Sequence, residues 1–411
     1  MKYLWQMIQF LRAEDMRKII LLASLVAGGV AFSATAYANN WLLYLPAILA
    51  GSGGTTTTPP STDTSNKWLL FLPAILSGAQ NNTTVVTEAP FNDTGIVLNS
   101  SQVACGTGDK EDCNYGRDAD SATNSDSDGH AGFSFTKLDS SGNEGTNLDG
   151  TWDCVRDEVT GLVWTDQPTW SVADKKSWSD AQQVYAASYS NCGFSSDWRV
   201  PTLKELMSIV AYNLSTQSVD TDYFHLPELP VFWTAIENQS DSTSAWNIDF
   251  NGGFLDRASY KESSLYVRLV HGTVKTADFT DNGNGTVTDA ATGLIWKKCM
   301  EGYSGSNCET ETSPTTFTWS EALNLDDGEW RLPNIKELQS LVEYQNVSPA
   351  INTEIFPGTP ADSTVWSNSP KSGVTDRAWY VNFSTGGTFY AENVSTVKKY
   401  VRLVKDTSAT Q

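Results

Sequence analysis

The chain reads as α+β: two tandem copies of one small domain, each with two helices and a mainly antiparallel sheet. Three observations predict this. Tryptophan-bearing motifs recur at an offset of 132 to 141 residues, a whole-domain period rather than that of a solenoid. Helix starts capped by Ser, Thr or Asn sit at matching places in both copies. Short alternating strands follow them and end in Tyr-Val-Arg-Leu-Val, at 266–270 and 400–404.

Taken in order, residues 1–38 predict an export signal peptide. Met16, Arg17 and Lys18 give a positive start, Ile19 to Phe32 a mostly apolar run, and Ala36-Tyr37-Ala38 a small-x-small cleavage site. The run is too short and glycine-interrupted for a membrane span, so a secreted, periplasmic or cell-surface location is expected. Residues 39–95 read as a low-complexity linker. It carries the apolar segment Trp41-Leu42-Leu43-Tyr44-Leu45-Pro46-Ala47-Ile48-Leu49, a Gly/Thr/Pro/Ser tract, and the near-repeat Trp68-Leu69-Leu70-Phe71-Leu72-Pro73-Ala74-Ile75-Leu76. Each segment is too short to cross a bilayer. Segments 41–49 and 68–76 therefore point to self-association or envelope docking, with folding back onto the main body as the alternative.

The first domain is expected over 96–275, with an acidic loop ahead of it, and the second over 276–411. In each, Thr160-Gly161-Leu162-Val163-Trp164 or Thr292-Gly293-Leu294-Ile295-Trp296 predicts a short strand. In the second copy that strand follows a hairpin turn at Asp281-Asn282-Gly283-Asn284-Gly285. Ser177-Trp178-Ser179-Asp180 and Thr318-Trp319-Ser320-Glu321 start a first helix: the hydroxyl caps an orphan N–H and the acid answers it. Thr202-Leu203-Lys204-Glu205 and Asn334-Ile335-Lys336-Glu337 start a second, whose apolar face is Leu203, Leu206, Met207 and Val210 in the first copy. Trp246, Ile248 and Phe250, and then Trp379, Val381 and Phe383, alternate as strand faces.

Charge and residue types narrow the chemistry. With 48 acidic and 27 basic residues the net charge is −21 and no basic run occurs, which argues against nucleic acid as a partner. Three histidines, no two close together, and no nucleophile elbow argue against an enzyme. Cys105, Cys113, Cys154, Cys192, Cys299 and Cys308 lack zinc-site spacing. In an exported chain they read as disulfides, with fifteen pairings open, of which neighbour pairing keeps each bridge within one segment.

The acidic loop places oxygens at alternating positions ahead of a glycine. Asp118, Asp120, Asn124, Asp126 and Asp128 are thus candidate calcium ligands, although no distal acid completes an EF-hand and a solvated acidic turn is the competing reading. Five tryptophan pairs in register (164/296, 178/319, 198/330, 233/366 and 246/379) are expected in the core. Unmatched Trp152 and Trp170 are the candidate exposed platforms for a sugar face. Arg199, Arg331, Arg268 and Arg402 are expected to meet buried carboxylates.

The Thr-Gly-Leu-x-Trp strand, the Trp-Arg-Leu-Pro-x-x-x-Glu-Leu helix start and the Tyr-Val-Arg-Leu-Val end resemble the Lcl C-terminal domain family of bacterial secreted and surface proteins, over roughly 147–271 and 281–405. Asp128 to Asp139 is similar to a stretch seen upstream of such domains. The resemblance implies two C-type-lectin-like domains and, from the founding member, adhesion with binding of sulfated polysaccharide. The helix-start motif is also similar to formylglycine-generating enzymes, but their late reactive cysteine pair has no counterpart after Cys308. The Glu-Pro-Asn, Gln-Pro-Asp and Trp-Asn-Asp triplets of calcium-dependent lectins are absent, so that sugar site is not carried over. The expected function is a non-enzymatic secreted or surface binding protein for adhesion or glycan recognition. The alternative is a structural assembly protein of the envelope.

Overall fold

The computed structural model describes residues 92–120, 123, 127–145, 151–253, 258–273, 276–311 and 316–407. The signal segment, the apolar segments 41–49 and 68–76, and Asn124 and Asp126 lie outside the described residues. Among the described residues no helix is long and apolar enough to cross a membrane.

The first copy runs β1 (Phe135–Leu138), β2 (Cys154–Asp157), β3 (Val163–Thr165) and a helical stretch α1, built as Trp178–Asp180, a π-helical turn Ala181–Tyr185 and Ala186–Ser188. It continues through α2 (Leu203–Ser208), β4 (Val231–Glu237), β5 (Ser244–Asp249), β6 (Ala258–Tyr260) and β7 (Val270–His271). The second runs β8 (Phe279–Asp281), β9 (Thr286–Asp289), β10 (Leu294–Lys297), the small ribbon β11 (Tyr303–Ser304) and β12 (Thr310–Glu311), then α3 (Trp319–Leu323), α4 (Ile335–Ser340), β13 (Thr364–Pro370), β14 (Arg377–Asn382), β15 (Gly387–Glu392) and β16 (Val404–Asp406). Each copy has two antiparallel sheets: β1-β2-β3-β7 and β4-β5-β6, matched by β8-β9-β10-β16 and β13-β14-β15.

The expected local chemistry builds these elements. The Thr202 hydroxyl accepts from the Glu205 N–H while the Glu205 carboxylate accepts from the Thr202 N–H, and Asn334 with Glu337 and Thr318 with Glu321 repeat this box. Helices of six residues hold no stability of their own, so α2 and α4 depend on burying Leu203, Leu206 and Met207, and Ile335 and Leu338. The β2–β3 and β9–β10 turns close on Gly161 and Gly293, at φ of +73° and +71°, which L side chains rarely adopt.

One expected strand is shorter than its sequence suggests. Tyr-Val-Arg-Leu-Val enters a ladder only at its last valine, as β7 or β16. Tyr266 and Tyr400 instead bridge Phe232 and Val365 of the other sheet, so the intervening residues cross between the two sheets of a copy. That crossing drops Arg268 and Arg402 into the interior.

Each copy has a small outer core, one around Trp198 and Trp233 and the other around Trp330 and Trp366. The main core is shared, holding Trp164, Leu206, Met207, Tyr212 and Trp246 together with Trp296, Leu338, Leu341, Tyr344 and Trp379. The seam is reciprocal. Lys204 Nζ donates to Ser340 O (2.7 Å) and Lys336 Nζ to Ser208 O (2.8 Å). Tyr212 packs edge-on against Trp379, as Tyr344 does against Trp246. Matched residues meeting each other's counterparts is the arrangement of an isologous dimer, here within one chain.

Residues 92–95, expected in the linker, belong to this body. Asn92 and Thr94 are fully buried, and the Tyr212 N–H donates to Thr94 O. The compositional boundary was set by the low-complexity tract before them and could not register this long-range docking. Bridges join Cys105 to Cys113, Cys154 to Cys192 and Cys299 to Cys308, the neighbour pairing.

Candidate functional site

At the seam an open cleft of about 650 Å³ lies between the β4–β5–β6 sheet and the β14–β15 hairpin. Asn238, Ser240, Asp241, Ser244, Ser259, Ser263, Asn382 and Thr385 line it with amides, hydroxyls and one carboxylate, beside Trp246, Tyr260 and Phe389. Tyr260 is 68 % exposed. Asp241 is preset: hydrogen bonds from the Ser244 and Thr243 hydroxyls and the Thr243 N–H hold its carboxyl below the usual range. Phe389 stacks on Tyr380, with centroids 5.8 Å apart. Among the described residues no lysine or arginine lines the cleft.

Sequence reasoning missed this cleft. Its signal is Tyr260, an aromatic with no counterpart: it pairs across the ladder with Ser244, while the corresponding pair in the second copy is Arg377 with Glu392.

The two tryptophans proposed as sugar platforms are corrected. Trp152 is 6 % exposed, donates through Nε1 to Tyr223 O, packs on His225 and is covered by Lys137 Nζ at 3.9 Å. Trp170 is half-buried, donates to His225 O and packs edge-on against Phe232 and Tyr266. Polar neighbours in sequence did not reveal this cover, because apart from Lys137 it comes from residues 50 to 100 positions away. Of the matched tryptophans all are buried except Trp178, which is half-buried.

The calcium-loop expectation is corrected for its described members, Asp118, Asp120 and Asp128. Among the described residues Asp118 does not cluster with Asp120, which is exposed, or with Asp128, which accepts from the Ser134 hydroxyl. Asp118 lies instead with Asp93 and Asp112, their carboxylate oxygens within 4.8 Å of one another and all three side chains buried. Burial pushes all three carboxyls above their ordinary range, aided by repulsion from Glu337 at Asp93, from Asp93 at Asp112, and from Asp93 and Asp112 at Asp118. Asp93 Oδ1 accepts from Asn334 Nδ2, Asp112 Oδ2 from the Ser369 and Thr94 hydroxyls, and Asp118 Oδ2 lies 3.1 Å from the Thr94 hydroxyl.

Three arginines meet carboxylates as expected. Arg199 forks onto Glu205, Arg331 onto Glu337, and Arg268 meets Asp166 at 2.7 Å. Asp166 also holds His225 Nδ1. Arg402 departs from the expectation: its guanidinium donates to the carbonyls of Lys297 and Lys298 and to the Thr359 hydroxyl, and burial pushes its pKa down to about 9.

A family model for the Lcl C-terminal domain matches residues 153–271 and 285–405, more than half of the chain. No curated protein matches it.

Proposed function

Because this chain belongs to the Lcl C-terminal domain family, carried in two copies, we propose that it is an exported, non-enzymatic binding protein that recognises a neutral glycan, as an adhesion or glycan-recognition module, in the cleft between the copies. The observation that carries this reading is the lining of that cleft. An exposed aromatic ring offers a face to sugar C–H groups, while amides and hydroxyls both donate and accept, as sugar hydroxyls require. That no Lys or Arg lines the cleft among the described residues, in a chain of net charge −21, favours a neutral sugar over a sulfated one. Three disulfides fit an oxidising compartment, in keeping with export. Two short helices beside small antiparallel sheets in each copy support the C-type-lectin-like relationship.

A glycan array on the full chain tests this. Binding of neutral glycans should fall at least about tenfold with Tyr260→Ala, the size of a lost central contact, while circular dichroism stays unchanged. Preference for sulfated glycans, or neutral binding indifferent to Tyr260, refutes the cleft. A blank array with self-association that disappears when 41–49 and 68–76 are deleted supports the envelope-assembly alternative.

A further inference from the structure

We propose that Asp93, Asp112 and Asp118 bind one calcium ion, which pins the segment preceding the first copy across the seam. Three side chains, each at most 5 % exposed, bring carboxylate oxygens within 4.8 Å. Oxygens bound to one calcium ion at about 2.4 Å lie no more than about 4.8 Å apart, so the three carboxylates are close enough together to share one ion.

A second observation is independent of the clustering. Asp112 Oδ1 and Asp118 Oδ1 are buried with no hydrogen-bond partner. Such oxygens are costly to desolvate unless something positive sits against them. The charge of Lys336 acts on all three carboxylates, but one ammonium cannot balance three of them, and the basic groups nearby make their hydrogen bonds elsewhere. Lys336 Nζ donates to the backbone carbonyls of Asp93 and Ser208, and Arg331 forks onto Glu337. Among the described residues no cation forms an ion pair with any of the three aspartates.

The choice of calcium follows from the donors and their dryness. All three are hard oxygens, which excludes metals that need sulfur or nitrogen. Magnesium keeps most of its water shell and prefers an open site, whereas calcium accepts a protein cage. The surrounding backbone is built closely around the cluster. A Cβ on Gly116 would lie 1.8 Å from Asp93 Oδ2.

The position gives the ion a task. Its ligands lie in the segment stapled by Cys105–Cys113. That segment touches the first copy, where Asn92 Nδ2 donates to Asp157, and the second, where Asn334 and Ser369 donate to Asp93 and Asp112. Offsetting two of the trio's three negative charges would let one segment hold both copies.

The test uses the full chain, stripped with a chelator and dialysed into metal-free buffer. Calorimetric titration with calcium chloride should show one saturable site. Melting temperature should rise by roughly 5 °C or more at saturation. Asp112→Asn with Asp118→Asn should abolish the site and raise the melting temperature of the metal-free chain, because it removes unpaired buried charge. Should the double variant fail to fold, Asp118→Asn alone and the calcium content of the unstripped chain decide: weakened binding and one equivalent support the site, unaltered binding and no calcium overturn it. No saturable heat, an equal response to magnesium, or calcium binding retained in a folded double variant also overturns it.

Discussion

Asp157 illustrates how much one buried side chain can set. Its Oδ1 accepts from the Val159 and Thr160 N–H groups and holds the β2–β3 turn, while Oδ2 accepts from Asn92 Nδ2. Burial raises its pKa from 3.8 to about 6. The folded carboxyl thus holds its proton more tightly than the unfolded one. Its stabilising contribution is complete below about 3.8 and is lost as the pH rises through about 6. Asp157→Asn keeps the turn acceptor, and Asn92, whose Oδ1 is buried without a partner, can turn to accept from the new amide. The variant and the parent chain, both free of metal, should melt alike near pH 4. The variant should gain up to about 3 kcal/mol by pH 7, two pKa units at about 1.4 kcal/mol each. Melting curves across that range check this, and a gap that does not change with pH removes the assigned role.

At the scale of elements, the two copies form a natural control. Arg199 and Arg331 occupy matching places before α2 and α4 and fork onto the N3 glutamate of the following helix. Their surroundings differ. The Arg199 side chain is 34 % exposed, Arg331 only 7 %, and Glu337 repels buried Asp93. Removing the guanidinium leaves Glu337 unpaired among other acids, whereas water reaches the place vacated by Arg199. Arg331→Met should therefore cost about 3–5 kcal/mol, the range for breaking a buried pair, and Arg199→Met about half of that. Urea unfolding midpoints of the two variants measure the difference, and equal costs would show that burial does not set it. The forks and caps were legible in sequence because each joins residues three to six positions apart. The last strand was misread because its pattern gives apolar alternation but not the change of sheet at Tyr266 and Tyr400. Arg402 was misjudged for a similar reason: Lys298 stands where the first copy has Asp166, and that difference decides its partner only after folding.

For the whole molecule, the repeat suggests two domains, yet its principal core belongs to neither copy alone. The duplication is visible in sequence since each copy repeats the same local motifs. The reciprocal seam, the cleft at Tyr260 and the aspartate trio are not, because they depend on contacts between distant parts of the chain, up to the 257 positions that separate Ser369 from Asp112. A shared core has a thermodynamic consequence. Unfolding one copy would expose the faces of Leu206, Met207 and Tyr212 or of Leu338, Leu341 and Tyr344 on the other. Each fully buried side chain of this size contributes roughly 1.5–3 kcal/mol, so exposing three of them would cost about 5–9 kcal/mol, a large share of the roughly 5–15 kcal/mol by which a domain is stable. The buried polar pairs add to this, since the Lys204–Ser340 and Lys336–Ser208 bonds would leave carbonyls and ammonium groups without partners. The chain should therefore unfold in urea as one cooperative transition. Tryptophan fluorescence and far-ultraviolet circular dichroism should coincide, and residues 276–411 expressed alone should not fold. Two separated transitions, or a folded second copy on its own, would mean that the seam is a contact between independent domains rather than a common core.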